Sequence, residues 1–174
     1  MNASWDLFII LFFIIAIIFG IAMGRERSMV SIIAAYIGLV VSNIAGNALF
    51  NALGGGASAQ MGSALTFTAT PSPFFIKAGI FILVLVLLII KGDFLKRAVT
   101  SHAGLMSILT SGIYSFLNAG IIITALVSFL SDAQRTDLLT QSKYINLIQQ
   151  YQVWWMVVPV LLMIVLGFKE KEEA

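Results

Sequence analysis

The chain has 174 residues, of which 60% are hydrophobic and only 10% are charged, with a formal net charge of +2 and no cysteine. Soluble proteins carry about 45–50% apolar and about 25% charged residues, so this composition excludes an ordinary soluble domain and predicts that lipid surrounds much of the chain. The absence of cysteine excludes disulfides and thiolate chemistry, and short basic clusters between apolar segments are typical of membrane orientation rather than of nucleic-acid binding.

Five segments are apolar enough to cross a bilayer, whose core of about 30 Å needs about 20 helical residues. The first is not a cleaved signal peptide, because nothing basic precedes it and no small-residue cleavage site follows it. We therefore expect an all-α, polytopic transmembrane bundle of about five spans, with four as the alternative, in a single domain over residues 1–168. The predicted spans are residues 5–23, 29–53, 74–90, 104–130 and 153–168, and a charged cytoplasmic tail follows at residues 169–174.

The connecting segments differ in character. Residues 54–73 are uncharged and rich in small residues, and their backbone would lack partners in lipid, so they belong in water or against the bundle. Residues 91–103 and 131–152 mix polar and apolar side chains and are expected to form short interfacial helices. The fifth segment is short and contains Pro159, which kinks a helix; as a surface or re-entrant helix it would leave four spans and both termini outside.

The distribution of positive charge predicts the orientation. With the N-terminus outside and five spans, most lysines and arginines lie on the cytoplasmic side, as the positive-inside rule requires. The inner set is Arg25, Arg27, Lys91, Lys96, Arg97, Lys169 and Lys171, and the outer set is Lys77, Arg135 and Lys143. The three tryptophans fall near the outer boundary, where amphipathic rings are favoured. We expect the N-terminus outside and the C-terminus in the cytoplasm.

Two polar stripes occur inside predicted spans. The second span carries Asn43, Asn47 and Asn51 at four-residue spacing, with Tyr36 on the same side. An amide in hydrocarbon must find a partner, so this face is expected to point into the bundle or into water. A similar stripe marks the fourth span, and the two spans are expected to face each other. The predicted polar bundle interior is Tyr36, Asn43, Asn47, Ser107, Ser111, Ser115 and Asn118.

Two interpretations stay open for these stripes: interhelical hydrogen bonds, or a polar lining for a solute path. Two also stay open for Gly20 and Gly24, which end the first span with the spacing of a close-packing motif but also suit a turn. At the outer side, Asp6 and Lys77 lie at similar predicted depth. They form an ion pair or remain two independent interfacial charges.

Enzyme templates find no match in the sequence. His102 is the only histidine, and no second histidine or suitable carboxylate completes a triad or a metal site. No ionisable residue lies centrally in a span, which disfavours a proton- or sodium-driven pump formed by one subunit. We expect no enzyme activity, no catalytic residue, no metal and no cofactor.

The layout as a whole resembles the colicin V production protein family, small inner-membrane proteins with four or five predicted spans. The resemblance lies in a first span that opens Trp5-Asp6-Leu7-Phe8 and closes Gly24-Arg25-Glu26-Arg27, in a small-residue second span with Gly38, and in the glycines of the fourth span, Gly104, Gly112 and Gly120. It implies a bacterial cytoplasmic membrane protein in envelope homeostasis or peptide-toxin export, with no catalytic residues.

Three functions follow as expectations. The first is a non-enzymatic membrane component that acts through partners or as a homo-oligomer. The second is a small transporter or channel with a polar path between the second and fourth spans. The third is a structural subunit of a larger membrane complex. The expected partners are the lipid bilayer, further copies of the chain or other membrane proteins, and no nucleic acid.

Overall fold

The computed structural model describes residues 3–52, 72–91 and 105–172, with side chains described for residues 5–52, 72–91 and 107–165. These ranges hold seven helices and no strand: α1 (Ala3–Met23), α2 (Arg25–Ala52), α3 (Pro73–Lys91), α4 (Leu105–Ser128), α5 (Asp132–Gln141), α6 (Lys143–Gln150) and α7 (Gln152–Glu172). The segment predicted at residues 54–73 and the interfacial helix predicted at 91–103, with His102, lie almost wholly outside the described residues.

Four of these helices, α1 to α4, are each long and apolar enough to cross a membrane. Helices α6 and α7 together pass the same test, but they are bent by 61° at Tyr151, so they add a fifth span if the pair counts as one. The all-helical fold class with four to five spans is thereby confirmed. The charged residues that were predicted as a tail continue helix α7 as far as Glu172.

Helix α2 begins earlier than predicted, directly after the first span. A single residue, Gly24, separates α1 from α2, and its φ of 85° lies in the left-handed region that glycine enters without strain. The amide of Gly24 still donates to the carbonyl of Gly20, and the amide of Ser28 donates to the carbonyl of Gly24. The basic turn therefore reverses the chain without a loop.

Helix α4 forms the centre of the bundle and packs against α1, α2, α6 and α7, whereas α3 packs mainly against α2. The main core joins Ile32 and Ala35 of α2 to Phe81 of α3 and to Tyr114 and Ile121 of α4. Helices α1 and α3 turn most of their large apolar side chains outward. Such a surface suits a lipid environment, since soluble proteins rarely expose large contiguous apolar patches.

The hairpin of α5 and α6 covers the end of the bundle at which α1 begins. Ser131 and Gln134 form a capping box at the start of α5, and Ser142 ends α5 while its hydroxyl accepts from the amide of Ile145 to cap α6. Ile145 and Ile148 pack into a second core cluster with apolar side chains of α1 and α4. The helices predicted within residues 131–152 are confirmed, and α6 is the amphipathic one, since it buries Ile145 and Ile148 whereas α5 buries no residue.

Candidate functional site

A compact cluster of serine hydroxyls joins α1, α2 and α4. The Ser28 hydroxyl of α2 lies 3.2 Å from the Ser111 hydroxyl and 3.2 Å from the Ser115 hydroxyl, both on α4. Ser111 donates to the carbonyl of Gly20 at 2.6 Å, and Ser28 lies within 3.3 Å of the same oxygen. All three serines are buried. The cluster therefore satisfies its hydroxyls with one another and with backbone at the point where three helices meet.

Gly20 makes this close approach possible. A Cβ atom at this position would lie 1.5 Å from the Ser115 hydroxyl oxygen, so no other residue fits without displacing α4. A Cβ atom on Gly24 would meet no atom within 4 Å, and the positive φ of Gly24 marks it as the turn residue. Close packing thus explains the first glycine of the motif, and chain reversal explains the second.

A second polar contact joins α2 and α4 further along the bundle. The amide nitrogen of Asn118 donates to the Ser31 hydroxyl at 2.7 Å. Its carbonyl oxygen is buried without a hydrogen-bond partner in the described part of the chain. Tyr36 donates to the carbonyl of Met156 in α7. The expectation that the second and fourth spans face each other is confirmed, with Ser111, Ser115 and Asn118 buried and Ser107 half-buried.

The prediction that Asn43 and Asn47 line the bundle interior is wrong. Both side chains are exposed on the outside of α2. The buried face of this helix carries Gly38, Ser42 and Gly46 instead. These residues have the same four-residue spacing, and Ser42 and Gly46 directly precede the two asparagines in the sequence. One position corresponds to about 100° of rotation around a helix, which is enough to move the asparagines from the core to the surface.

Small residues occupy the buried face of α2 because α3 lies too close to α2 for larger side chains. A Cβ atom on Gly38 would lie 3.1 Å from the ring of Phe81, and one on Gly46 would lie 2.6 Å from Cγ of Lys77. Between these two glycines, the Ser42 hydroxyl donates to the carbonyl of Gly38 at 2.5 Å. A side chain at Gly38 or Gly46 would therefore require Phe81 or Lys77 to move.

The possible ion pair between Asp6 and Lys77 is not formed among the described residues. Asp6 of α1 is buried and accepts from the Ser142 hydroxyl at 2.7 Å and from the backbone amide of Tyr144 at 3.4 Å. Lys77 lies against Gly46 on the other side of α2. The carboxyl group therefore joins the first helix to the start of α6, where the free amides of a helix N-terminus favour an acidic partner.

Two apolar grooves lie beside α4. Two grooves of about 250 and about 550 Å³ follow α4 on its α1 and α7 side and share Phe116, Leu117 and Val158 in their walls. In the part of the chain that the structure describes, no group of three or more histidines and carboxylates comes together. The polar contacts between the spans α1, α2 and α4 described above are hydroxyl and amide contacts, and charged side chains join helices at the hairpin end, where Asp6 accepts from Ser142 and Arg135 donates to Gln149.

Comparison of the chain with protein-family models, with curated proteins and with solved structures gives no match. The resemblance to the colicin V production family therefore stays a prediction from the sequence. Polar residues that bond to another helix and were not predicted to do so include Ser28, Ser31 and Ser142. The buried Ser42, whose hydroxyl bonds within α2, was not predicted either. The signal for Ser42 was present, since it continues a run of small residues at four-residue spacing with Gly38 and Gly46.

Proposed function

We propose that this protein is a non-enzymatic component of the bacterial cytoplasmic membrane, of the colicin V production type, that acts in envelope homeostasis or in toxin export through partner proteins. The observation that carries the proposal is that buried polar side chains form hydrogen bonds between helices. Ser28, Ser111 and Ser115 bond to one another and to the Gly20 carbonyl, and Asn118 bonds to Ser31. These contacts hold helices together, which is the work of a scaffold that presents surfaces to other proteins.

The proposed orientation has the N-terminus outside and the C-terminus in the cytoplasm. Its support is the excess of lysine and arginine in the segments that this orientation places inside. The contact between Asp6 and Ser142 agrees with it, because it holds the start of α1 and the α5–α6 hairpin at the same end of the bundle. The orientation assigns both to the outer side.

A deletion strain tests the function. The gene is removed from the bacterium that carries it, and two quantities are measured: sensitivity to membrane-active peptides and detergents, and secretion of a peptide toxin. We expect at least one of them to change and to be restored by the wild-type chain. Restoration must fail for Gly20→Leu, which separates α1 from α4. If neither quantity changes in the deletion strain, the proposed function is wrong.

A structural subunit of a larger membrane complex is the second candidate, and the exposed amides of Asn43 and Asn47 favour it. Amides on a lipid-facing helix are typical of a surface that another transmembrane helix covers. Purification in mild detergent separates the two candidates. Stoichiometric co-purification of unrelated chains indicates a subunit, whereas release of this chain alone or as a homo-oligomer indicates the first function.

The transport alternative placed a solute path between the asparagine stripe and the serine stripe. The polar stripe of α4 contacts the side of α2 that carries Ser28 and Ser31, through Ser111, Ser115 and Asn118. Asn43 and Asn47 face outward from α2 instead. The geometry offers no support for that path. The test of the transport alternative is solute flux into vesicles that contain the protein. Flux that is lost in a folded Asn47→Leu variant would support transport.

A further inference from the structure

We propose that the contact between α2 and α4 binds one water molecule, which bridges the hydroxyl group of Ser31 and the side-chain amide of Asn118. This water site is independent of the proposed function, because it concerns only how two spans of the bundle are joined. The two side chains meet inside the bundle, and each leaves hydrogen-bonding capacity unused there.

The amide of Asn118 is only half satisfied. The side chain is 9% exposed, and its Nδ2 atom donates to the Ser31 hydroxyl oxygen at 2.7 Å. Its Oδ1 atom is buried with no hydrogen-bond partner among the described residues. An amide oxygen that leaves water without gaining a donor is costly, and more so at the depth of a membrane span. This atom therefore calls for a donor.

The Ser31 hydroxyl has the complementary deficit. Its oxygen accepts from Asn118, but its proton finds no acceptor within the part of the chain that the structure describes. Other serines of the same helix differ, since Ser28 and Ser42 each donate to the carbonyl four residues earlier. One contact thus holds an acceptor without a donor beside a donor without an acceptor.

A water molecule matches both groups at once. It donates to Oδ1 of Asn118 and accepts from Ser31, and two hydrogen bonds of about 2.8 Å allow it to reach both, because the two side chains are already in contact. The match does not depend on how the amide is turned. If Oδ1 instead accepted from Ser31, Nδ2 would lack an acceptor at the same place, and water accepts as readily as it donates.

The position of the pair gives water both room and access. Ser31 is half-buried, so part of its surface is open to a sphere the size of a water molecule. It lies about 10 Å along α2 from the turn at Gly24, at a rise of about 1.5 Å per residue. The hydroxyl of Ser28 lies between that turn and Ser31, so polar groups continue from the end of the span to the site. Two polar partners suffice to hold a buried water.

Solid-state NMR of the labelled chain in vesicles tests the site, by measuring magnetisation transfer from water to side chains. We expect transfer to Asn118 at least about threefold faster than to Ser115, because a bound water stays in contact with the amide. Ser115 is the matched control: it is 6% exposed, its hydroxyl lies 3.2 Å from that of Ser28, and it lies one turn closer to the Gly24 turn. Water that merely penetrates from the membrane edge would favour Ser115. Transfer to Asn118 no faster than to Ser115 would overturn the proposal.

A Ser31→Ala variant tests the bridge itself. It removes one of the two partners of the water with little change in volume, and alanine suits a helix, so we expect the fold to persist and the backbone chemical shifts of α4 to change little. Transfer to Asn118 should fall to about the level of Ser115, because one remaining partner does not hold the water. Ser115→Ala is the control variant and should leave transfer to Asn118 within about twofold of the natural chain. Undiminished transfer in Ser31→Ala contradicts the bridge.

Discussion

Single atoms decide how closely the helices of this bundle approach. At Gly20 a Cβ would overlap the Ser115 hydroxyl, and at Gly120 it would lie 2.0 Å from the ring of Trp155. Gly112, in the same helix as Gly120, would meet only Ile21, at the ordinary contact distance of 3.7 Å. The requirement for glycine is therefore local. It arises where a neighbouring helix leaves no space, and it does not apply to every glycine of the span.

The first prediction concerns Gly20. We expect Gly20→Ala to lower the free energy of unfolding by about 1–3 kcal/mol, because the added methyl group forces α4 away from α1. Gly112→Ala serves as control and should change it by less than about 0.5 kcal/mol. Unfolding in mixed detergent measures both. If the overlap with Ser115 is the cause, adding Ser115→Gly to Gly20→Ala recovers part of the loss, and a purely additive double variant contradicts this explanation.

The second prediction concerns Asp6, whose carboxylate contacts the start of α6 in the α5–α6 hairpin. Removal of its acceptor in Asp6→Ala leaves the Ser142 hydroxyl without its partner, and the expected cost is about 1–3 kcal/mol. Hydrogen exchange should rise selectively in residues 131–150. Asp137→Ala is the control, since the Asp137 side chain is exposed and, among the described residues, its carboxylate accepts from the Gln141 side chain of its own helix. Equal exchange in both variants would show that the contact does not hold the hairpin.

At the scale of the element, α2 carries two stripes with the same four-residue period. The small residues Gly38, Ser42 and Gly46 face α3, and the asparagines that follow them by one position face outward. Either stripe could form the buried face of a helix by its spacing alone. The volume of the side chains decides which stripe is buried, since close contact between helices in a membrane depends on small side chains.

The third prediction compares two adjacent positions on that helix. Ser42→Leu inserts volume into the α2–α3 contact and should lower the free energy of unfolding by about 1–3 kcal/mol. Asn43→Leu changes a side chain that is exposed in the single chain and should alter the stability by less than about 0.5 kcal/mol. Both are measured on the detergent-solubilised chain. The reverse order would mean that α2 is rotated about its axis relative to this structure.

At the scale of the whole molecule, α4 lies at the centre and α1 and α3 lie outside it. The chain reverses by one glycine between α1 and α2, and it bends by 61° between α6 and α7. Pro159 lies inside α7, whose N-terminal residues pack Trp155 against Gly120. Whether α6 and α7 act as one span decides on which side of the membrane the C-terminus lies.

The fourth prediction addresses that question by labelling of single cysteines in intact cells. Ala133→Cys, exposed in α5, should react with an impermeant maleimide from outside. Ala174→Cys, at the last residue of the chain, should react only after the membrane is opened, because five spans place it inside. External labelling of both positions contradicts the fifth span and favours four. External labelling of Ala174→Cys alone reverses the orientation.

The fold class and the approximate spans were predictable from the sequence. A helix that crosses hydrocarbon needs about 20 apolar residues and satisfies its own backbone, so composition and length suffice to recognise it. The polar residues of α4 were also predictable as a buried face, because Ser111, Ser115 and Asn118 lie on one side of an apolar helix. Their partners Ser28 and Ser31 were not, since they stand close to the basic turn, where a polar residue needs no partner.

A helical membrane protein with four or five spans can be predicted from the sequence alone, because the bilayer imposes a length and polarity that can be counted along the chain. The rotation of α2 about its axis and the partners of Asp6 are visible only in the packed bundle. Rotation about a helix axis depends on the volumes of side chains on neighbouring helices, and those helices are distant in sequence. Phe81 and Lys77 of α3 require small residues opposite them, and this requirement places the asparagines on the outside.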